Sequence, residues 1–347
     1  MHYNWKLSEA TFTKDKGKVF SCFACGGGST MGYKLAGFDV IGHNDIDPKM
    51  IEVYKENHKP KFSFHESITT FAKRKDLPKE LYELDILDGS PPCSSFSMAG
   101  NREKTWGKEK KFREGQELQV LDTLFFDFID LAKELQPKVV VAENVRGLLL
   151  GAAKEYVIKI YKAFDEAGYT CQHFLLNASK MGVPQRRERV FFIALRKDLA
   201  GPFMEQVDMF TELPKIELEF NEKEIPFKEF MFFNELEENE KMTPCLINEY
   251  DNILEGEQSK KYFQFSRLDR NKVPSTVTTS QSKSGACQSH PYIKRFFNNN
   301  ELCLIGSYPL DYNFLNLKCS YIIGMSVPPL MTGKIAEQIY NQWLSKL

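Results

Sequence analysis

Short apolar runs alternate with helical periodicity along the first half of the chain, and this rhythm constrains the fold more than any other feature. Residues 19–24 read as a buried strand leading into Gly26-Gly27-Gly28, with a helical stretch after it. Residues 38–43 form a second apolar run ending in Asn44-Asp45-Ile46-Asp47, and Pro48 suits the first turn of the next helix. Residues 83–88 and 138–143 supply two further strands, separated by a helix over about 118–135 in which Leu118, Leu121, Phe125, Phe128 and Leu135 recur at helical spacing. Residues 169–176 and 189–195 complete the series. Strands alternating with helices predict an α/β fold with a doubly wound, mostly parallel sheet, which takes its ligands at the carboxyl ends of the strands.

A chain of 347 residues exceeds the usual size of one domain, so a large domain with a smaller one is expected. From about 198 to 262 the rhythm stops, and acidic residues gather over 217–240. Helical periodicity returns at Leu330 through Ile335, Ile339 and Trp343. We assign residues 1–197 to a large α/β domain, 198–317 to a small second domain, and 318–347 to a segment that returns to the first. With 42% hydrophobic and 13% aromatic residues, disorder is excluded. The 8 cysteines lack framework spacing and the N-terminus lacks a signal-peptide core, which predicts reduced thiols in a cytoplasmic protein. Nothing approaches the roughly 20 apolar residues that cross a bilayer. At a net charge of -1, a nucleic-acid partner would have to meet a local basic surface.

Four segments carry chemistry. The first is Phe23-Ala24-Cys25-Gly26-Gly27-Gly28, followed by Gly32 and Asp45. Glycines after a first strand let backbone approach a ligand closely, and an acid ending the second strand can hold ribose hydroxyls, a pattern that fits NAD, a flavin or S-adenosylmethionine. Cys22 and Cys25 are spaced as Cys-x-x-Cys, but no second Cys or His pair follows at metal spacing, so they read as two small buried thiols and no metal is expected. In Asp88-Gly89-Ser90-Pro91-Pro92-Cys93-Ser94-Ser95-Phe96-Ser97 a cysteine stands just past a strand end, held by a stiff double proline, where backbone amides favour its thiolate. Glu143-Asn144-Val145 closes the run Val139-Val140-Val141-Ala142, and a carboxylate there needs a partner or a task, which makes Glu143 a candidate acid. Gln185-Arg186-Arg187-Glu188-Arg189 precedes another strand and can aim an arginine at a polar ligand.

In this order the segments resemble the DNA (cytosine-5)-methyltransferase family, bacterial or phage type, over nearly the whole chain. Phe23 to Gly28 matches its cofactor loop, Pro92-Cys93 its nucleophile, Glu143-Asn144-Val145 its acid element, and Gln185, Arg187 and Arg189 its Gln-x-Arg-x-Arg element. Arg267-Leu268 with Pro274-Ser275-Thr276 is similar to the ninth motif, and Gly324-Met325-Ser326-Val327-Pro328-Pro329 to the tenth. This chain departs from the pattern at Cys25, where the family has its first loop glycine, at Met325, where it usually has Asn, and at Ser67, where it has an Asp on the adenine amino group.

The resemblance implies a Rossmann-like methyltransferase domain, S-adenosylmethionine as cofactor, and a target-recognition role for the small domain. Phe23, Gly27, Gly28, Asp45, Ile46, Ser67, Ile68, Leu124, Ser326 and Val327 are the implied cofactor residues. It also implies that Cys93 adds to C6 of a flipped cytosine, that Glu143 protonates or hydrogen-bonds N3, that Arg187 binds O2, and that Arg189 orients one of these groups. Duplex DNA is the implied partner, contacted by the loop after the nucleophile: Ser94, Ser95, Arg102, Lys104, Lys108, Lys110, Lys111 and Arg113. No obligatory protein partner is implied. A tRNA cytosine-5 methyltransferase and a catalytically silent DNA-binding paralogue are the competing readings. The Pro92-Cys93-Ser94-Ser95-Phe96-Ser97 run favours the DNA enzymes, and the presence of Cys93, Glu143 and Arg187 disfavours the silent one.

Overall fold

The computed structural model describes residues 1–92, 123–208, 211–233, 240–262, 265–279 and 287–347. Two compact units emerge from it. One comprises Phe12–Leu176, Glu188–Glu219 and Ile335–Leu347; the other comprises Met1–Thr11, Asn177–Arg187 and Phe220–Lys334.

The first unit is built on a sheet of 7 strands. In chain order its elements are β1 (Lys18–Cys22), α1 (Gly28–Leu35), β2 (Asp39–Asp45), α2 (Pro48–His58), β3 (Phe62–His65), α3 (Ile68–Phe71), β4 (Ile86–Gly89), α4 (Leu124–Leu135), β5 (Val139–Val145), α5 (Lys154–Glu166), β6 (Tyr169–Asn177), β7 (Glu188–Arg196) and α6 (Lys197–Ala200). Strand order is β3-β2-β1-β4-β5-β7-β6. The described pairs among β1 to β5 are parallel, whereas β7 runs antiparallel to β5 with Val145 opposite Arg189. Parallel strands are covered on both faces, which is why Val19 to Cys22 and Val139 to Ala142 are apolar or small and buried without alternation. The chain winds outward from β1 through β2 to β3, then starts again on the other side with β4. The carboxyl ends of β1 and β4 therefore flank the topological switch point, the place where such sheets bind ligands.

Local chemistry fixes the helices. Asp47 caps α2 by accepting from the Lys49 amide at 2.9 Å, with Pro48 as first helical residue. Helix α4 buries Leu124, Phe125, Phe128, Ile129, Leu131, Ala132 and Leu135 against the sheet and ends on Gln136 in the left-handed region. The helix expected from 118 is described only from Leu124. The strand expected over 83–88 starts late, because Lys79–Glu83 coils as a 3-10 turn and Asp85 is occupied with the Lys18 amide at 2.7 Å and the Lys138 ammonium at 2.8 Å. A short antiparallel hairpin follows, β8 (Met204–Gln206) with β9 (Glu212–Pro214). The Trp343 indole donates to the Lys215 carbonyl at 2.8 Å.

The second unit holds α7 (Pro244–Asn252), β10 (Ser266–Arg267), β11 (Gln288–Ser289), α8 (Asn299–Ile305), α9 (Cys319–Met325) and the start of α10 (Pro329–Gln342). Met242, Leu246, Tyr250, Ile253, Phe265, Cys287 and Phe296 make a small core there. Beside it lies an ion pair fully shielded from solvent: Arg295 grips Glu301 with two hydrogen bonds of 2.7 and 2.9 Å. Glu301 also closes a capping box with Asn298 at the start of α8.

Candidate active site

The loop after β1 is shaped by left-handed residues. Phe23, Cys25 and Gly27 have φ of 52°, 49° and 79°, which folds the backbone into a tight cradle and delivers Gly28 to the first turn of α1. Gly27 is sterically obligatory, since a Cβ there would run into the imidazole of His58. The Nε2 of His58 lies 3.1 Å from the Gly26 carbonyl, which can only accept, so this nitrogen carries the proton and donates. Behind His58, Tyr54 packs edge-on, stacks face to face on His43 at 3.6 Å, and shares a 2.8 Å hydrogen bond with Thr30 of α1. Burial lowers His43 and His58 to about 3, so both are neutral props for the loop.

Asp45, at the carboxyl end of β2, accepts from the Cys25 amide at 2.8 Å and the Asp47 amide at 2.9 Å. Burial raises its carboxyl to about 6, and these amides hold it back from going higher. Cys25 directs its Sγ to 3.4 Å from the Met50 Sδ. Nearby, the Ile46 carbonyl meets His65, Ile68 is buried, and Leu124 is buried at the start of α4. The Phe23 ring faces Phe128 at 6.4 Å. Ser67 caps α3, accepting from the Thr70 amide at 3.2 Å, so its hydroxyl has local work.

Asn144, at the end of β5, donates to the Pro91 carbonyl at 3.2 Å and ties the outlet of β4 to β5. One residue earlier, Glu143 meets the Arg189 Nε at 2.9 Å, with side-chain exposures of 13% and 16%. The two form a diagonal same-face pair, because Arg189 lies opposite Val145 in the antiparallel register and Glu143 is two residues along. Burial pulls the Arg189 guanidinium below its ordinary value, and the Glu143 carboxylate opposes that pull.

In the second unit Arg187 is buried and donates to the Val277 carbonyl at 3.4 Å and the Gly324 carbonyl at 3.0 Å. Gln185 bridges the Ile305 carbonyl and the Val277 amide, and the Arg186 amide bonds the Pro274 carbonyl. The ninth-motif segment is thus the bed on which the Gln-x-Arg element lies. Arg267 lies 4.5 Å over the Tyr250 ring and donates to the Pro291 carbonyl. Ser326 accepts from the Tyr308 hydroxyl at 2.6 Å and donates to the Ile322 carbonyl at 2.7 Å; Val327 beside it is buried.

Cys93, Ser94, Ser95, Arg102, Lys104, Lys108, Lys110, Lys111 and Arg113 lie outside the described residues. Among the described residues no cluster of three or more His, Cys, Asp or Glu could hold a metal, and no helix is long and apolar enough to cross a membrane. A cavity of about 580 Å³ beside β8 and β9 is lined by Phe203, Met204, Lys215, Gln338 and Gln342, none of them a motif residue. The sequence reading overlooked His58 and Tyr54, whose signal was only two aromatic rings at i and i+4 on α2, and it overlooked the hydrogen-bond cluster of Asp88, whose signal was a lone acid in an apolar strand.

Residues 17–341 match the family model described as C-5 cytosine-specific DNA methylase. The type II methyltransferase M.FnuDI of Fusobacterium nucleatum is 32% identical over 279 residues, covering 79% of this chain and 73% of that protein. The type II methyltransferase M.NgoPII of Neisseria gonorrhoeae is 28% identical over 353 residues, covering 93% and 95%. Among solved structures, a DNA modification methyltransferase encoded within an E. coli prophage superposes with a TM-score of 0.69 at 20% identity over 94% of this chain and 99% of that one. DNMT2 of Spodoptera frugiperda gives 0.64 at 20% identity, covering 93% and 99%.

Proposed function

The chain belongs to the C-5 cytosine-specific DNA methylase family, and from that premise we propose that it methylates C5 of a flipped cytosine in duplex DNA through a covalent adduct of Cys93 at C6. The observation that carries the proposal is the Glu143–Arg189 pair at the edge of the sheet where β4 runs out toward Cys93. An acid held by a cation at the ligand side of the sheet is what the chemistry requires. C5 of cytosine is a weak nucleophile until a thiolate adds at C6 and a proton or hydrogen bond at N3 accepts the displaced electron density. Cys93 forms the bond to C6; Glu143, oriented by Arg189, relays a proton from solvent to N3; and Arg187, its guanidinium plane set by two carbonyls, balances charge at O2.

The glycine loop fits S-adenosylmethionine. Gly26 to Gly28 present backbone without side chains, the first turn of α1 has no side-chain cap and attracts a carboxylate, and Asp45 ends β2 where ribose hydroxyls would lie. Within the first unit, Phe23, Ile46, Ser67, Ile68 and Leu124 would complete the nucleoside pocket. The cofactor supplies an electrophilic methyl group to C5. Return of the N3 proton through Glu143 and loss of the C5 proton to solvent then expel the Cys93 thiolate and restore the neutral aromatic ring. The basic loop from Ser94 to Arg113 contacts phosphates once the base has left the stack, and residues 198–317 read the target sequence.

Fluorine at C5 blocks the final proton loss, so duplex DNA carrying 5-fluorocytosine at the target must stay bonded to Cys93 through denaturation, and only with S-adenosylmethionine present. Mass spectrometry that finds no nucleotide on the Cys93 peptide would refute the covalent route. The same trap on tRNA but not on duplex DNA would refute the substrate.

A further inference from the structure

We propose that Asp88 is a positioning residue for the cofactor loop, fastening the first turn of α1 to β4 through Ser29. The carboxylate sits on β4, three residues ahead of Pro91, and is 3% exposed. Its Oδ2 accepts from Ser29 Oγ at 2.7 Å and Ser21 Oγ at 2.8 Å, and its Oδ1 from the Tyr33 hydroxyl at 3.2 Å. Ser21 lies on β1, Ser29 follows Gly28 at the start of α1, and Tyr33 is one turn further on. One carboxylate therefore joins both flanks of the glycine loop to the strand that leads to the nucleophile.

Three hydroxyl donors only partly repay desolvation, and burial still raises the carboxyl to about 6, with Cys22, Tyr33, Tyr54 and Glu143 as the titratable groups that feel or add to its charge. A fastener that is costly to bury points to a placement that packing alone does not secure. Oxygen-to-oxygen bonds to a charged acceptor are short and directional, and they hold Gly28 and the α1 amides at a fixed distance from β4.

The inference rests on the reading that the glycine loop holds S-adenosylmethionine. Calorimetry with S-adenosylmethionine at pH 7.5, beside the thermal midpoint of the free protein, tests both. Ser29→Ala and Asp88→Asn should each raise the dissociation constant at least about tenfold, the worth of one hydrogen bond to a charged group. The double variant should bind no worse than Asp88→Asn alone, because Ser29 acts through Asp88. In turnover, KM for the cofactor should rise with kcat little changed. Additive losses would mean that Ser29 meets the cofactor directly and would overturn the proposal, as would affinities within about twofold of wild type with a lowered midpoint. If Asp88→Asn does not fold, Ser29→Ala decides by the same limits. Wild-type protein that fails to bind S-adenosylmethionine would remove the cofactor reading itself.

Discussion

Cys25 offers a test in which the ordinary sign of a substitution reverses. At most positions Ala is more stable than Gly by about 0.5–1 kcal/mol, because Gly loses more backbone entropy on folding. Cys25 sits at φ 49°, where a Cβ crowds the carbonyl and costs roughly 1–2 kcal/mol. Replacing Cys25 by Ala keeps that strain and deletes a buried sulfur that touches the Met50 Sδ, a loss of about 1 kcal/mol. Replacing it by Gly deletes slightly more buried surface but releases the strain, so Cys25→Gly should lie within about 1 kcal/mol of wild type and at or above Cys25→Ala. Urea denaturation with matched m-values measures both, and cofactor affinity should be unchanged in Cys25→Gly because the amide to Asp45 remains. If Cys25→Gly proves less stable than Cys25→Ala by more than about 0.5 kcal/mol, the loop is not strained at this residue and the argument fails.

Cys93→Ser should abolish methyl transfer while calorimetry finds S-adenosylmethionine binding intact, since a hydroxyl is a far weaker nucleophile at neutral pH. Asp45→Ala should weaken cofactor binding by about 1–3 kcal/mol. Because burial raises the Asp45 carboxyl to about 6, its share of that affinity should fade as pH drops through 6 and be missing from Asp45→Asn; its effect on stability has the opposite sign, greatest at acid pH and lost as pH rises from the ordinary value through 6. Arg295→Met takes the cation from between two enclosed acids, Glu240 and Glu301, so the second unit should lose about 3–5 kcal/mol, seen as early proteolysis.

The doubly wound sheet was legible because strands covered on both faces must be apolar throughout, as Val139 to Ala142 are, and because the helix between β4 and β5 repeats Phe125, Phe128 and Leu135 on one side. Strand direction was not legible. Nothing local in residues 189–195 marks β7 as antiparallel, since the alternation of side chains is the same either way. The motif acids were visible as anomalies in apolar runs, but their partners were not. Ser21, Ser29 and Asp88 are up to 67 residues apart, and only the winding of the sheet brings them together. Residues 188–219 group with the sheet although the strand-helix rhythm stops at about 198, because anchors such as Trp343 on Lys215 come from the far end of the chain.

The reversed course of β7 decides which of its residues reaches the carboxyl end of β5. Every other strand beside the switch point offers its last residue to that edge, so its side chains arrive on the outgoing loop. β7 offers its second residue, Arg189, and is followed by nothing more than its own descent away from that edge. Were β7 threaded the other way in the same slot, Arg189 would stand beside Val139, six residues and about 20 Å from where it now meets Glu143. The same nine residues would complete the sheet with Arg189 parted from Glu143, so the direction of one strand decides whether this pair can form.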